Sequence, residues 1–200
     1  MTRNDDHKLL EAILRQNFFS YVCAVFPLLN GGAMMQPNWH IEAMAHALEC
    51  VRVGVFTRQA IAVPPRHLSS ICASVAWPSF ILGHDPTAKI ICASYSDNLA
   101  RKFANDCRAL MKTPFYTELF PGTRISPSKD TELEIATTAG GFRLATSVGG
   151  TLTGRGGNFI ITDDPIKPQD AQSDLSLSPP PSLRARIGSR SRTWPLACSS

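Results

Sequence analysis

Two short stretches of this sequence carry residue types that could act on a phosphate. The first is Phe159-Ile160-Ile161-Thr162-Asp163-Asp164. An apolar strand ending in two carboxylates can present one to a magnesium ion and the other to an attacking water. A hard cation prefers oxygen ligands, and that water must be polarised beside the terminal phosphate. The structural alternative is a solvated turn opened by Asp164-Pro165. The second stretch is Val63-Pro64-Pro65-Arg66-His67-Leu68-Ser69-Ser70-Ile71, between an apolar run and a helical pattern. Backbone N–H groups at a helix N-terminus cradle anions. A phosphate loop also needs a lysine for the outer phosphates and a hydroxyl for magnesium. Ser70 can be the hydroxyl, but Ser69 stands where the lysine would be. The alternative is an ordinary N-capped helix after a Pro-rich turn.

Two weaker stretches accompany these. Ile90 to Asp97, a Ser/Tyr-rich strand end followed by a helix, either reports on nucleic acid or nucleotide state or is simply structural, and alone it reads as structural. Thr151-Leu152-Thr153-Gly154-Arg155-Gly156-Gly157 is either a loop with a phosphate-contacting Arg155 or a connector.

The elements that must position these residues follow from hydrophobic period. Residues 7–29 place Leu10, Ile13, Leu14, Phe18 and Tyr21 at helical steps, and Asn30-Gly31-Gly32 breaks the pattern. Residues 38–52 repeat the helical pattern, with Asn38 as N-cap. Ala60-Ile61-Ala62-Val63 reads as a buried strand. Residues 69–82 read as a helix that Pro78 should kink or end. Lys89 to Ser94 is a second strand, and residues 97–112 form a helix. Glu134–Thr138 and Phe142–Thr146 flank Gly140-Gly141 as a hairpin, and Phe159–Thr162 is a third apolar strand. This rhythm predicts an α/β domain with a mainly parallel sheet, whose ligands bind at the carboxyl ends of the strands.

Charge gives little away. The chain has 20 Lys and Arg against 16 Asp and Glu. The excess comes from Arg184, Arg186, Arg190 and Arg192 in residues 175–200, which contain no acid. The body is neutral, so bulk charge makes no case for nucleic-acid binding by it. The 175–200 segment is Ser-, Pro- and Arg-rich without period and reads as a disordered basic tail, natural or the product of a shifted reading frame. No apolar run reaches the ~18 residues of a membrane span, and Asp5 and Asp6 argue against a secretory signal. The six cysteines form no C-x-x-C pair and read as thiols in a reducing compartment.

Order and spacing say more than any single motif. From about Gln36 to Asp174 the chain resembles the large terminase subunit of tailed bacteriophages, the ATPase that drives DNA into procapsids. The resemblance runs through Pro37-Asn38-Trp39-His40-Ile41, Pro64-Pro65-Arg66-His67, Ala93-Ser94-Tyr95-Ser96, Thr153-Gly154-Arg155-Gly156 and Asp163-Asp164-Pro165-Ile166-Lys167. It implies a RecA/ASCE-like P-loop NTPase: a mainly parallel sheet flanked by helices, incomplete at its C-terminal end. Residues 1–35 would be a helical region, 36–174 a partial ATPase domain, and 175–200 the tail.

Residue by residue, the resemblance implies an ATP and Mg2+ site. Pro65, Arg66, His67, Leu68, Ser69 and Ser70 would form the phosphate loop, with Ser70 and Asp163 on the metal. Arg66 would stabilise transition-state charge in cis, Asp164 would orient the water, and Trp39 would lie near the adenine. The implied partners are double-stranded phage DNA, the small terminase subunit and the portal protein, in the host cytoplasm with no membrane.

Two departures accompany it. Ser69 replaces the family's lysine, so turnover is expected to be weak or absent. The resemblance also stops near Asp174, without the family's nuclease domain, as in a truncated or frameshifted remnant. The alternative is a non-catalytic nucleic-acid- or protein-binding fragment acting through its basic tail.

Overall fold

The first break in the helical pattern lies at Asn17. A computed structural model of the chain describes residues 3–64, 68–147 and 155–164. The continuous helix expected over 7–29 is two helices, α1 (Arg3–Gln16) and α2 (Phe18–Leu29), bent by 105°. Asn17 adopts an extended backbone and its side chain accepts from Ser20 N–H at 2.8 Å, so it caps α2. The apolar period is the same on both sides of that cap, which hid the corner. Pro27 lies inside α2 rather than ending it.

Helix α3 (Trp39–Arg52) has Asn38 at its N-cap position, although its side chain makes no capping bond. The strand expected at residues 60–63 is absent, and the segment is irregular and partly exposed.

The sheet has five strands: β1 (Lys89–Ser94), β2 (Ile125–Asp130), β3 (Glu134–Thr137), β4 (Phe142–Ser147) and β5 (Phe159–Asp163), in the order β2-β3-β4-β1-β5. β1 pairs in parallel with β4 and β5, while β2-β3-β4 is antiparallel. The expected hairpin is β3–β4, and Gly140 takes the positive φ its turn demands. β2 was not expected; Ser126, Pro127 and Ser128 give it no apolar alternation, as suits an edge strand. Asn158 sets the β5 register: its N–H donates to Lys89 O at 2.7 Å and its side-chain oxygen accepts from Lys89 N–H at 2.9 Å.

Helix α5 (Asp97–Met111) packs on β4, β1 and β3 through Ala100, Phe103, Ala104 and Cys107, capped by Ser96. The short α6 (Pro114–Leu119), also unforeseen, starts on Thr113, whose hydroxyl accepts from Tyr116 N–H. A π-helical turn, Ile71–Ala76, runs directly into α4 (Trp77–His84). Phe18, Tyr21, Phe80, Tyr116 and Phe120 form a buried aromatic group beneath these helices. All described residues belong to one compact unit, and α2 contributes to the same core as the sheet. Among the described residues no single helix is long and apolar enough to cross a membrane. The fold is mixed α/β with helices flanking the sheet. The segment 175–200 lies outside the described residues.

Candidate functional site

The carboxyl ends of the three parallel strands meet in one row. Register pairs Ser147 with Ser94, and Ser94 with Asp163. Alternation along the strands puts these residues on one face together with Ile90, Cys92, Arg143 and Ile161. The π turn covers the β5 end of that face.

Asp163 is the centre of the arrangement. Its Oδ2 accepts from Ser74 Oγ at 2.9 Å, and its carboxylate also bonds the side chain of Ser70. Burial pushes its pKa above the ordinary carboxylate value, the two serine hydroxyls pull it down, and the neighbouring Asp164 charge raises it. Asp164 is less buried and has φ +45. A left-handed backbone is tolerable for aspartate, and it turns the chain sharply out of β5.

The local sequence explains why Ser74 reaches Asp163. In an α-helix the carbonyl of Ser74 would accept the N–H of residue 78, which is Pro78 and has none. The helix does not end there. It widens, so that Trp77 N–H donates back to Cys72 O, a step of five residues. The Ser74 carbonyl instead accepts from Arg143 Nη2 at 3.0 Å. Arg143 is 1% exposed, and its Nε and Nη1 make no hydrogen bond.

Of the residues singled out by sequence, Ser70 and Asp163 lie near each other, close enough for the Ser70 hydroxyl to lower the carboxylate's pKa. Asp164 follows directly at the strand exit. Leu68 has φ +63, an unusual conformation for a bulky residue, and enters the helix that carries Ser69 and Ser70. Pro65, Arg66 and His67 lie outside the described residues, as do residues 151–154 of the Gly-rich loop. Trp39 begins α3 and is 78% exposed, so it is not a core tryptophan. Arg155, a candidate phosphate contact, is paired with Glu134 at 2.7 Å and sits over the Phe142 ring. Ser96 serves as a helix cap, accepting from Leu99 N–H.

Ser74 and Arg143 were missed. The only sequence signal for Ser74 was its place four residues before Pro78. Arg143 sits in an alternating strand where an arginine reads as outward-facing.

The residues present fit a magnesium ion bound sparingly. Magnesium uses one or two protein oxygens and keeps water or phosphate for the rest. A hydroxyl touching a half-buried carboxylate supplies that set. A dedicated protein cage is not available: among the described residues no group of three or more His, Cys, Asp or Glu could hold a metal. The described cysteines are free thiols, and burial raises Cys92 and pushes Cys107 up to about 12. Comparison with known protein families finds no family model that matches the chain, and comparison with curated proteins finds no match either.

Proposed function

We propose that the chain is the ATPase portion of a phage terminase-type DNA-packaging motor, a P-loop NTPase with impaired turnover. One observation carries this reading. A hydroxyl at a helix start, Ser70, lies close enough to a carboxylate at the carboxyl end of a parallel strand, Asp163, to lower its pKa, although the two are far apart in sequence. P-loop NTPases hold their magnesium with a pair of that kind.

Ser70 and Asp163 would hold the magnesium of Mg-ATP. The ion, when bound, polarises the phosphoryl oxygens and offsets the charge that develops on them. Asp164, turned out of β5, holds and orients the water that attacks the terminal phosphate. Arg66 supplies cationic charge from the same loop. His67, Leu68 and Ser69 offer backbone donors, Pro65 fixes the turn that leads into them, and Trp39 offers a ring face to adenine. Duplex DNA, the small terminase subunit and the portal protein are the partners of this reading, in the cytoplasm of a bacterial host.

The missing lysine at Ser69 removes charge from the outer phosphates. Such a loss costs on the order of a hundredfold or more in rate. The test is Mg2+-dependent nucleotide binding and hydrolysis by the full chain and by Ser69→Lys. Ser69→Lys should raise hydrolysis at least ~100-fold, and adding Asp164→Asn should remove the gain. Absence of Mg2+-dependent nucleotide binding in both chains sinks the proposal.

A further inference from the structure

Three features compete for a further role: the open outer edge of β5 with exposed Ile160, the His46–Cys50 pair on α3, and the buried Arg143. Nothing on the surface says what would cover the β5 edge. The His46–Cys50 pair has no further ligand beside it among the described residues. Arg143 is different, because its bond from Nη2 leads to the candidate metal site.

We propose that Ser74 is the positioning residue of the metal-side carboxylate, held in place from inside the core by Arg143. The proposal rests on the magnesium site assigned above. Its basis is a continuous run of contacts: Arg143 Nη2 to Ser74 O at 3.0 Å, then Ser74 Oγ to Asp163 Oδ2 at 2.9 Å.

Each link has a physical cause. A serine inside a helix ordinarily turns its hydroxyl back to the carbonyl one turn earlier. Ser74 gives its hydroxyl to Asp163 instead. Its own carbonyl would lack an α-helical donor because of Pro78, and a fully buried guanidinium meets that need. A strand-borne arginine thus fixes how far the helix rotates, and the rotation fixes where the hydroxyl points. With Oδ2 occupied, the carboxylate plane is set. The lone pairs left over are the ones a cation can use. Outer partners of this kind orient metal ligands, and losing one typically costs ~10–100-fold in metal affinity.

The arrangement also separates two roles that serines could share. Ser70 touches the carboxylate from the helix start, where a metal-bound hydroxyl is needed. Ser74, one turn on and 1% exposed, is too deep to be a ligand and acts through Asp163.

The experiment is Mn2+ binding to the full chain, alone and with ADP, followed by electron paramagnetic resonance, with thermal melting in parallel. Asp163→Asn should abolish specific binding. Ser74→Ala should weaken it at least ~10-fold with little change in melting. Ser74→Cys, which keeps the volume but loses the strong donor, should behave likewise and covers the case in which the alanine variant folds poorly. Arg143→Met should weaken binding by a similar factor. Combined with Ser74→Ala it should add nothing, because both act through one hydroxyl. Equal Mn2+ binding by the unaltered chain and Asp163→Asn, or none by either, overturns the site and this proposal together. Binding lost in Asp163→Asn but kept within about twofold in Ser74→Ala and Ser74→Cys overturns the positioning role alone. Additive losses in the double variant overturn the Arg143 link.

Discussion

Replacing Arg143 by methionine should leave the protein about as stable as before, although Arg143 is among the largest fully buried side chains. The arithmetic comes from its hydrogen bonds. Its bond from Nη2 to Ser74 O is charge-assisted, and a bond of that kind contributes about 1.5–3 kcal/mol. Against it stand Nε and Nη1, both buried without a partner. Each such donor costs about 1–3 kcal/mol. Methionine removes the bond and both orphans while keeping most of the volume, but it leaves the buried Ser74 carbonyl without that donor, about 1–3 kcal/mol more. Losses of about 2.5–6 kcal/mol stand against about 2–6 kcal/mol relieved, so the terms cancel to within a few kcal/mol. Alanine removes the same groups but opens a cavity and should lose about 2–5 kcal/mol. Urea denaturation at constant m-value measures both. If methionine costs more than about 3 kcal/mol, as when one partner of a buried pair is removed, the guanidinium holds the core together and the reasoning fails.

Other perturbations follow from particular contacts. Gly141→Ala should cost more than about 3 kcal/mol in denaturant titration, because a Cβ would meet the backbone oxygens of Pro86 and Ala88, the latter at 2.6 Å; Gly122→Ala, with open space around it, should change little. Asp163→Asn should be at least as stable as the parent at neutral pH. Burial raises the folded-state pKa of Asp163, so the parent has its full stability only below the ordinary value of 3.8 and loses part of it as pH rises through the raised value. The advantage of Asn should therefore shrink on acidification, and a less stable Asn variant at pH 7 refutes the reasoning. Pro78→Ala should fold at least as stably, because it restores an N–H to the helix. It should also weaken Mn2+ binding about as much as Ser74→Ala, since residue 78 then competes with Arg143 for the Ser74 carbonyl; unchanged affinity counts against it.

Much of the scaffold was legible from period alone. β1, β5, α5 and the β3–β4 hairpin lie where alternation, a helical stripe and a Gly-Gly turn put them. Ile61 and Val63 give residues 60–63 strand propensity, yet the segment joins no sheet. Tertiary context decided against propensity there. Asn17 failed because a cap inside an unbroken apolar pattern is visible only once the corner is seen. In the site, Ser70 and Asp163 were recognisable by type and order, and Ser70 lies close enough to lower the pKa of Asp163. Ser74 and Arg143 were not, since a serine in a helix and an arginine in a strand are ordinary residues. Their role comes from the missing N–H of Pro78, which acts at a distance that sequence spacing does not display.

The widened turn at Ile71–Ala76 makes the site sensitive to chain length as well as to composition. A π turn holds more residues than the ~3.6 of an α-helical turn, so it behaves as an absorbed insertion. Deleting one residue there would restore ordinary winding and rotate everything upstream by about 100° relative to α4. Ser70 would swing off the strand end while every chemical group survived. Between Ile71 and Trp77, relatives of this chain should therefore tolerate exchanges of side chains far better than gaps.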